Sequence, residues 1–337
     1  MYYSSLQVLR GIFALVIFFH HFSFDIGGEG LFGAGGDMGV AFFFILSGFV
    51  MSQGYMKKET SSKSHESLFR FIVKRLSKIY PLHVVCLVIA ILLRGTLIKP
   101  DLANLLLLQS WIPDPNWYFS GNAVGWCLSD FLFFYAVFPF FCKVIKKNYR
   151  LFLYSFFICL AFYIFIIPFI PYDYWDGIIY INPLTRLLDF LFGIILWEWL
   201  KNSGKSSLDS LSPLLAALAV LVVLAFTTIV WYVFPSAYNL SLLWWPSLAL
   251  LLIYSVTAGS KILSIGPLVR FGDVSFSFYL IHVLCINFLL IIFDRYQILL
   301  NPGLELGLIL ALTVILSFIV HSLFVIPMEK LIRKRIG

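Results

Sequence analysis

Ionisable side chains interrupt an apolar run near the start of the chain, at Arg10, His20 and His21. On a helix of about 3.6 residues per turn, the steps from Arg10 to His21 come within about 20° of whole turns, and the two residues lie roughly 16 Å apart. They therefore share one face, whereas His20 points about 80° away. Neutral imidazole is the usual general base near neutral pH, so His21 is a candidate base. A purely structural role remains the alternative, with Arg10 extending to the headgroups and the histidines bonding between helices.

A second polar stripe lies further along the chain, in the segment FGDVSFSFYLIHVLC (271–285). Ser275, Tyr279 and His282 follow i, i+4, i+7 spacing, which puts the three side chains on one face of an apolar helix. A histidine on a second helix favours acid–base chemistry, and the same stripe is also typical of helix packing.

A cluster of positive charge precedes the third apolar segment. Lys74, Arg75 and Lys78 stand at i, i+1 and i+4 in FIVKRLSKIYP. Such a cluster can bind phosphate groups of a ligand. It can equally bind the headgroups of anionic lipids.

Three more ionisable residues lie within apolar segments. Arg186 and Asp189 are three residues apart, and an intramembrane ion pair of structural purpose is the simplest interpretation. Asp130 has no evident partner in the sequence and is either a site residue or an acid facing the outer side.

The composition indicates what kind of elements must hold these residues in place. Of 337 residues, 61% are hydrophobic and 12% are charged, against about 25% charged in a soluble domain. The chain is therefore a polytopic membrane protein, and its net charge of +7 records membrane topology rather than nucleic-acid binding. The five cysteines have no CxxC spacing, so we expect neither a disulfide framework nor a metal site.

Apolar segments long enough to span a bilayer, about 20 residues each, recur along the whole chain. We expect an all-α bundle of about ten transmembrane helices at 6–24, 38–56, 80–98, 124–142, 151–171, 183–200, 213–234, 242–258, 271–293 and 304–327. With the N-terminus inside, 19 of the 24 Lys and Arg residues fall in inner loops or the tail. This bias predicts that both termini are cytoplasmic. We expect one membrane domain, 1–337, without an appended soluble domain.

Six stretches, in order, resemble the integral-membrane acyltransferases of acyltransferase family 3. They are LRGIFALVIFFHHF (9–22), GVAFFFILSGFVM (39–51), RLSKIYPLHVV (75–85), GWCLSDFLFFYAVFP (125–139), FGDVSFSFYLIHVLC (271–285) and IPMEKLIRKR (326–335). The chain departs from the family pattern at three positions. Lys78 replaces the second arginine of Arg-x-x-Arg, Ala41 replaces a frequent aspartate, and Phe131 replaces a glutamate, with Asp130 one residue earlier.

The resemblance implies transfer of an acyl group, most often acetyl, from cytoplasmic acyl-CoA to a hydroxyl of a cell-envelope glycan such as an O-antigen or exopolysaccharide. It implies three sets of site residues. The catalytic residues would be His21, as general base or as a relay for the acyl group, with His282 and Asp130. The residues that bind the CoA phosphates are Arg10, Arg75, Lys78 and Lys74. The residues that line the substrate cavity are Ser275, Tyr279, Trp126, Ser129, Tyr135 and Ser47.

The resemblance also implies a location and partners. We expect a multi-pass protein of the bacterial inner membrane, with acetyl-CoA as co-substrate, a glycan or lipid-linked glycan as acceptor, and no metal or nucleic acid. The alternative hypothesis is a transporter or a translocase of lipid-linked glycans, because buried ionisable residues on ten spans also suit a proton-coupled carrier. A glycan polymerase is a weaker third interpretation.

Overall fold

The computed structural model describes residues 3–25, 33–59, 67–203, 213–233, 240–257 and 263–336, and within these ranges the chain is helical and contains no strand. The helices are α1 (Ser4–Asp25), α2 (Gly35–Glu59), α3 (Leu68–Arg94), α4 (Lys99–Leu105), α5 (Pro115–Tyr118), α6 (Trp126–Lys147), α7 (Tyr149–Ile166), α8 (Pro183–Asn202), α9 (Pro213–Val233), α10 (Trp245–Val256), α11 (Gly266–Arg295), α12 (Pro302–Val320) and α13 (Ile326–Ile336).

The predicted polytopic helical fold is confirmed. In the described part of the chain, eight helices are long and apolar enough to cross a membrane, and a ninth is counted if Tyr172–Tyr180 and Pro183–Asn202, bent by 45°, form one broken span. The predicted segment 242–258 coincides with a shorter apolar helix, Ser241–Val256. Each of the ten predicted segments thus corresponds to a helix, and this one is shorter than the roughly 20 residues of a straight span.

The start of α3 differs from the sequence prediction. The third span was expected to begin at residue 80, but the helix begins at Leu68, where the Ser67 side chain accepts a hydrogen bond from the backbone N–H of Arg70. It continues through Pro81 and ends at Gly95, whose φ of 79° is left-handed. The basic cluster therefore lies on the first turns of α3 rather than in a loop.

Two pairs of helices cross at very short distance, and one of these crossings positions the candidate site residues of α1 and α11. A Cβ on Gly272 of α11 would collide with the backbone carbonyl of Gln7 on α1, and a Cβ on Gly11 would come within 2.8 Å of Phe271. The same occurs between α2 and α8, where a Cβ on Gly48 would strike the carbonyl of Phe190. Small residues allow such backbone contact between membrane helices. Helix α1 is thereby held directly against α11.

The C-terminal end of the chain folds back onto α3. A π-helical turn, His321–Val325, joins α12 to α13. Helix α13 carries Glu329, Arg333, Lys334 and Arg335 and packs against α3. The last basic residues of the sequence are thus brought beside the basic cluster of α3.

Candidate active site

Two histidines from different helices form a hydrogen-bonded pair. The Nε2 atom of His282, on α11, lies 3.1 Å from Nδ1 of His21, on α1. The ring centroids are 4.9 Å apart. His282 is fully buried, whereas His21 is partly exposed. The α1–α11 crossing therefore joins the two histidines that the sequence places on separate polar stripes.

The partners of the pair define its tautomers. Nδ1 of His282 lies 2.6 Å from the carbonyl oxygen of Tyr279, so this nitrogen carries the proton and Nε2 is an acceptor. Nδ1 of His21 lies 2.9 Å from the carbonyl oxygen of Ile17 and also faces the acceptor Nε2 of His282. It must therefore donate, which leaves the lone pair of His21 on Nε2. An imidazole held in this tautomer is able to accept a proton from a substrate.

His20 has a separate role from His21. Its Nδ1 lies 2.7 Å from the carbonyl oxygen of Gly33, and its ring fills the space that a Cβ on Gly36 would occupy. His20 thus packs against the start of α2. The predicted angular separation of the two neighbouring histidines is found in the structure.

A cavity of about 280 Å³ opens beside α1, α3 and α11. One part of its wall is strongly cationic, with side chains from three helices. These are Arg10, Lys74, Arg75, Lys78 and Arg333. The four cations predicted to bind phosphates are thus brought together, and Arg333 of α13 joins them.

The remaining wall of the cavity is apolar with a few polar groups. Ser47, Tyr135, Ser275 and Tyr279 line it as predicted, among aromatic side chains that include Phe131. The hydroxyl of Ser275 is fully buried and has no hydrogen-bond partner among the described residues. An unpaired buried hydroxyl is costly, and it is a ready donor to a carbonyl oxygen of a ligand.

Tyr279 separates the cavity from the histidine pair. Its hydroxyl donates to the carbonyl oxygen of Val124 at 2.9 Å and accepts from the Cys127 thiol at 3.0 Å. Its ring centroid is 5.8 Å from that of His282. Neither His21 nor His282 lines the cavity itself. The pair therefore lies directly behind one aromatic side chain rather than in the open wall.

Asp130 lies outside the cavity, in a separate buried cluster with Trp126 and Ser129, which do not line it either. Among the residues that the structure describes, neither carboxyl oxygen of Asp130 accepts a hydrogen bond, and the Ser110 hydroxyl donates to the carbonyl oxygen of Trp126 at 2.7 Å. One step along a helix turns a side chain by about 100°. Phe131 consequently faces the cavity, and Asp130 does not take the position of the glutamate expected there.

The predicted ion pair of the sixth apolar segment is present. Arg186 Nη2 lies 3.2 Å from Asp189 Oδ2, and both side chains are buried. The guanidinium also stacks over the rings of Phe44 and Tyr180, with centroid distances of 5.1 and 5.3 Å. Trp245 donates to Asp189 at 2.6 Å. This partnering fits a structural role in holding α8 in the bundle.

Sequence reasoning missed Arg333 and Cys127 as lining residues. The basic tail 330–335 was recognised as a charged end of the chain, but the helix that returns it to α3 was not. Cys127 lies in an apolar segment and belongs to no polar stripe or charge cluster, so nothing in the sequence was a reason to place it in the cavity wall.

A polytopic membrane protein with a cationic cavity and a hydrogen-bonded histidine pair has the groups that an intramembrane transferase needs. This chain belongs to acyltransferase family 3: residues 3–322 match the family model, described as an acyltransferase domain. The chain is 28% identical over 283 residues to the acyltransferase MdmB of Streptomyces mycarofaciens, an alignment that covers 75% of this chain and 69% of that protein. No solved structure gives a significant match. The predicted family membership is thereby confirmed, with five of the six motifs inside the matched residues, and the protein is a membrane acyltransferase.

Proposed function

We propose that this protein transfers an acetyl group from cytoplasmic acetyl-CoA to a hydroxyl group of a cell-envelope glycan, from the bacterial inner membrane and with both termini cytoplasmic. The observation that carries the proposal is one cavity with five cationic side chains on its wall and a hydrogen-bonded histidine pair behind Tyr279. The glycan acceptor and the cellular location are supported by the family resemblance and by the distribution of Lys and Arg.

The cationic wall supports a multiply phosphorylated donor. Arginine and lysine side chains form strong charge-assisted hydrogen bonds with phosphate oxygens. Arg10, from α1, and Lys78, from α3, line the same cavity and lie within electrostatic reach of each other, which suits binding of one diphosphate by both. The unpartnered hydroxyl of Ser275 is available to a carbonyl oxygen of the donor. These residues therefore fit an acyl-CoA with its phosphates at the cationic wall and its thioester near Tyr279.

The histidine pair supports the proton transfer that this reaction needs. The acceptor hydroxyl loses its proton to Nε2 of His21 as its oxygen bonds to the thioester carbonyl carbon. The carbon–sulfur bond then breaks, and the proton passes from His21 to the departing thiolate. His282 holds His21 in the required tautomer and stabilises the imidazolium that forms transiently. Because neither histidine lines the cavity, the reacting groups would have to meet His21 at the side chain of Tyr279.

Mass spectrometry of surface glycans from cells with and without the gene tests this proposal. We expect the glycan to lose the mass of one acetyl group when the gene is absent, and complementation to restore it. His21→Ala should fail to complement at normal membrane abundance, while the matched variant His20→Ala should be milder. Unchanged glycan mass would exclude a glycan acceptor, and equal loss from both variants would exclude His21 as the base.

Purified protein identifies the donor. Acetyl-CoA should raise the thermal unfolding midpoint in neutral detergent, because a ligand that binds only the folded state stabilises it. No shift at saturating acetyl-CoA would remove the donor from the proposal.

A further inference from the structure

Arg333 reaches the donor cavity from the last helix of the chain. It lines the same wall as Lys78 and Arg10, although α13 is distant in sequence from both. Its side chain is 51% exposed, whereas Arg10 and Lys78 are only partly exposed. Arg333 is therefore a cation at the rim of the cavity.

The ionic surroundings of Arg333 suit exchange with a ligand. Its Nη2 atom lies 2.6 Å from Glu329 Oε1, one helical turn earlier. An exposed pair of this kind contributes little to stability. Lys78 lies within electrostatic reach of Arg333 and Glu329, as well as Arg10 and Asp273. Until a ligand binds, Glu329 thus pairs with the guanidinium of Arg333. A phosphate carries more negative charge than this carboxylate and can replace it.

The exposure of the cations in the cavity wall fits the order of phosphates in a CoA thioester, because Arg75 and Arg333 are exposed whereas Arg10 and Lys78 are partly buried. The diphosphate follows directly after the pantetheine arm, and the 3′-phosphate lies at the far end on the ribose. A thioester near Tyr279 and Ser275 places the diphosphate by Arg10 and Lys78. The outermost phosphate then falls to the exposed cations of the wall, among them Arg333.

We propose that Arg333 binds the 3′-phosphate of a CoA-type donor and makes the enzyme distinguish CoA from donors that lack this group. The inference rests on the proposed function, because it requires a CoA donor in this cavity. It adds a selectivity residue from the C-terminal helix. The guanidinium is suited to this task because it binds a phosphate with two parallel hydrogen bonds.

Equilibrium binding of CoA and 3′-dephospho-CoA to the purified full-length protein tests the proposal. We expect Arg333→Gln to weaken CoA binding about tenfold, near the lower end for hydrogen bonds to a charged group, and to leave dephospho-CoA binding unchanged. Arg335→Gln is the matched control, because Arg335 lies on the same helix and does not line the cavity. Lys78→Gln should weaken both ligands.

Each other outcome has a defined meaning. Equal weakening of both ligands by Arg333→Gln, or no change in either, would overturn the 3′-phosphate assignment. If Arg333 instead binds an anionic lipid headgroup, added phosphatidylglycerol will weaken CoA binding by the unmutated protein but not by Arg333→Gln. In lipid-free detergent the variant will then keep its CoA affinity. If the unmutated protein binds neither CoA form, the proposed donor is wrong. That failure is separate from a failure of Arg333.

Discussion

The hydrogen bond between His21 and His282 makes a quantitative prediction about their joint contribution to catalysis. A positioned general base contributes about 10²–10⁴-fold, so His21→Ala should lower kcat by that factor. His282→Ala removes one acceptor of the His21 Nδ1 proton, but the carbonyl of Ile17 at 2.9 Å retains it. The loss is then close to one hydrogen bond and its desolvation, about 1–2 kcal/mol, or roughly 5- to 30-fold in kcat.

The double variant provides the critical comparison. Because His282 acts only through His21, His21→Ala with His282→Ala should be no slower than His21→Ala alone. His282→Gln should recover part of the single loss, since its amide can both donate to Tyr279 O and accept from His21. The assay is release of CoA from acetyl-CoA in the presence of the glycan acceptor, normalised to folded protein. A double loss equal to the product of the two single losses would refute the paired arrangement.

Substitutions at three further positions, Lys78, Gly272 and Asp130, test other parts of the protein. Lys78→Arg should retain activity and Lys78→Glu should raise the acyl-CoA KM about tenfold or more, because the charge is reversed beside the phosphates; an unchanged KM would mean that Lys78 contacts lipid only. Gly272→Ala should lose about 1–3 kcal/mol of stability through overpacking against Gln7, seen as a lower unfolding midpoint, whereas Gly307→Ala, with open space around it, should not. Asp130→Asn should keep kcat within about threefold, because Asp130 is outside the cavity; a hundredfold loss would restore it as a catalytic residue.

Local periodicity was enough to predict the features that lie within a single helix. The alignment of Arg10 with His21, and the stripe that ends at His282, follow from about 3.6 residues per turn. Apolar length predicted the helical segments in the same way. The hydrogen bond between the histidines was beyond this reasoning, because it depends on the crossing at Gly11 and Gly272.

The first and last residues of a helix, and the way in which the chain folds back after it, were harder to predict than the helix itself. Apolar length placed the start of the third span at residue 80, yet α3 begins at Leu68 and continues through Pro81. The position of Arg333 depends on how α13 folds back, which no local pattern records. The same limit applies to Asp130, whose direction relative to the cavity is decided by the rotation of α6 in the bundle.

The π-helical turn His321–Val325 determines which side of the C-terminal helix faces α3. A π turn contains one residue more than the α-helical turn it replaces. Deleting one residue there would leave a continuous helix of almost the same length but rotate everything beyond it by about 100°. Arg333 would then face away from α3, while all upstream helices kept their places. A single codon in this turn therefore sets the rotational register of the C-terminal helix independently of the rest of the bundle.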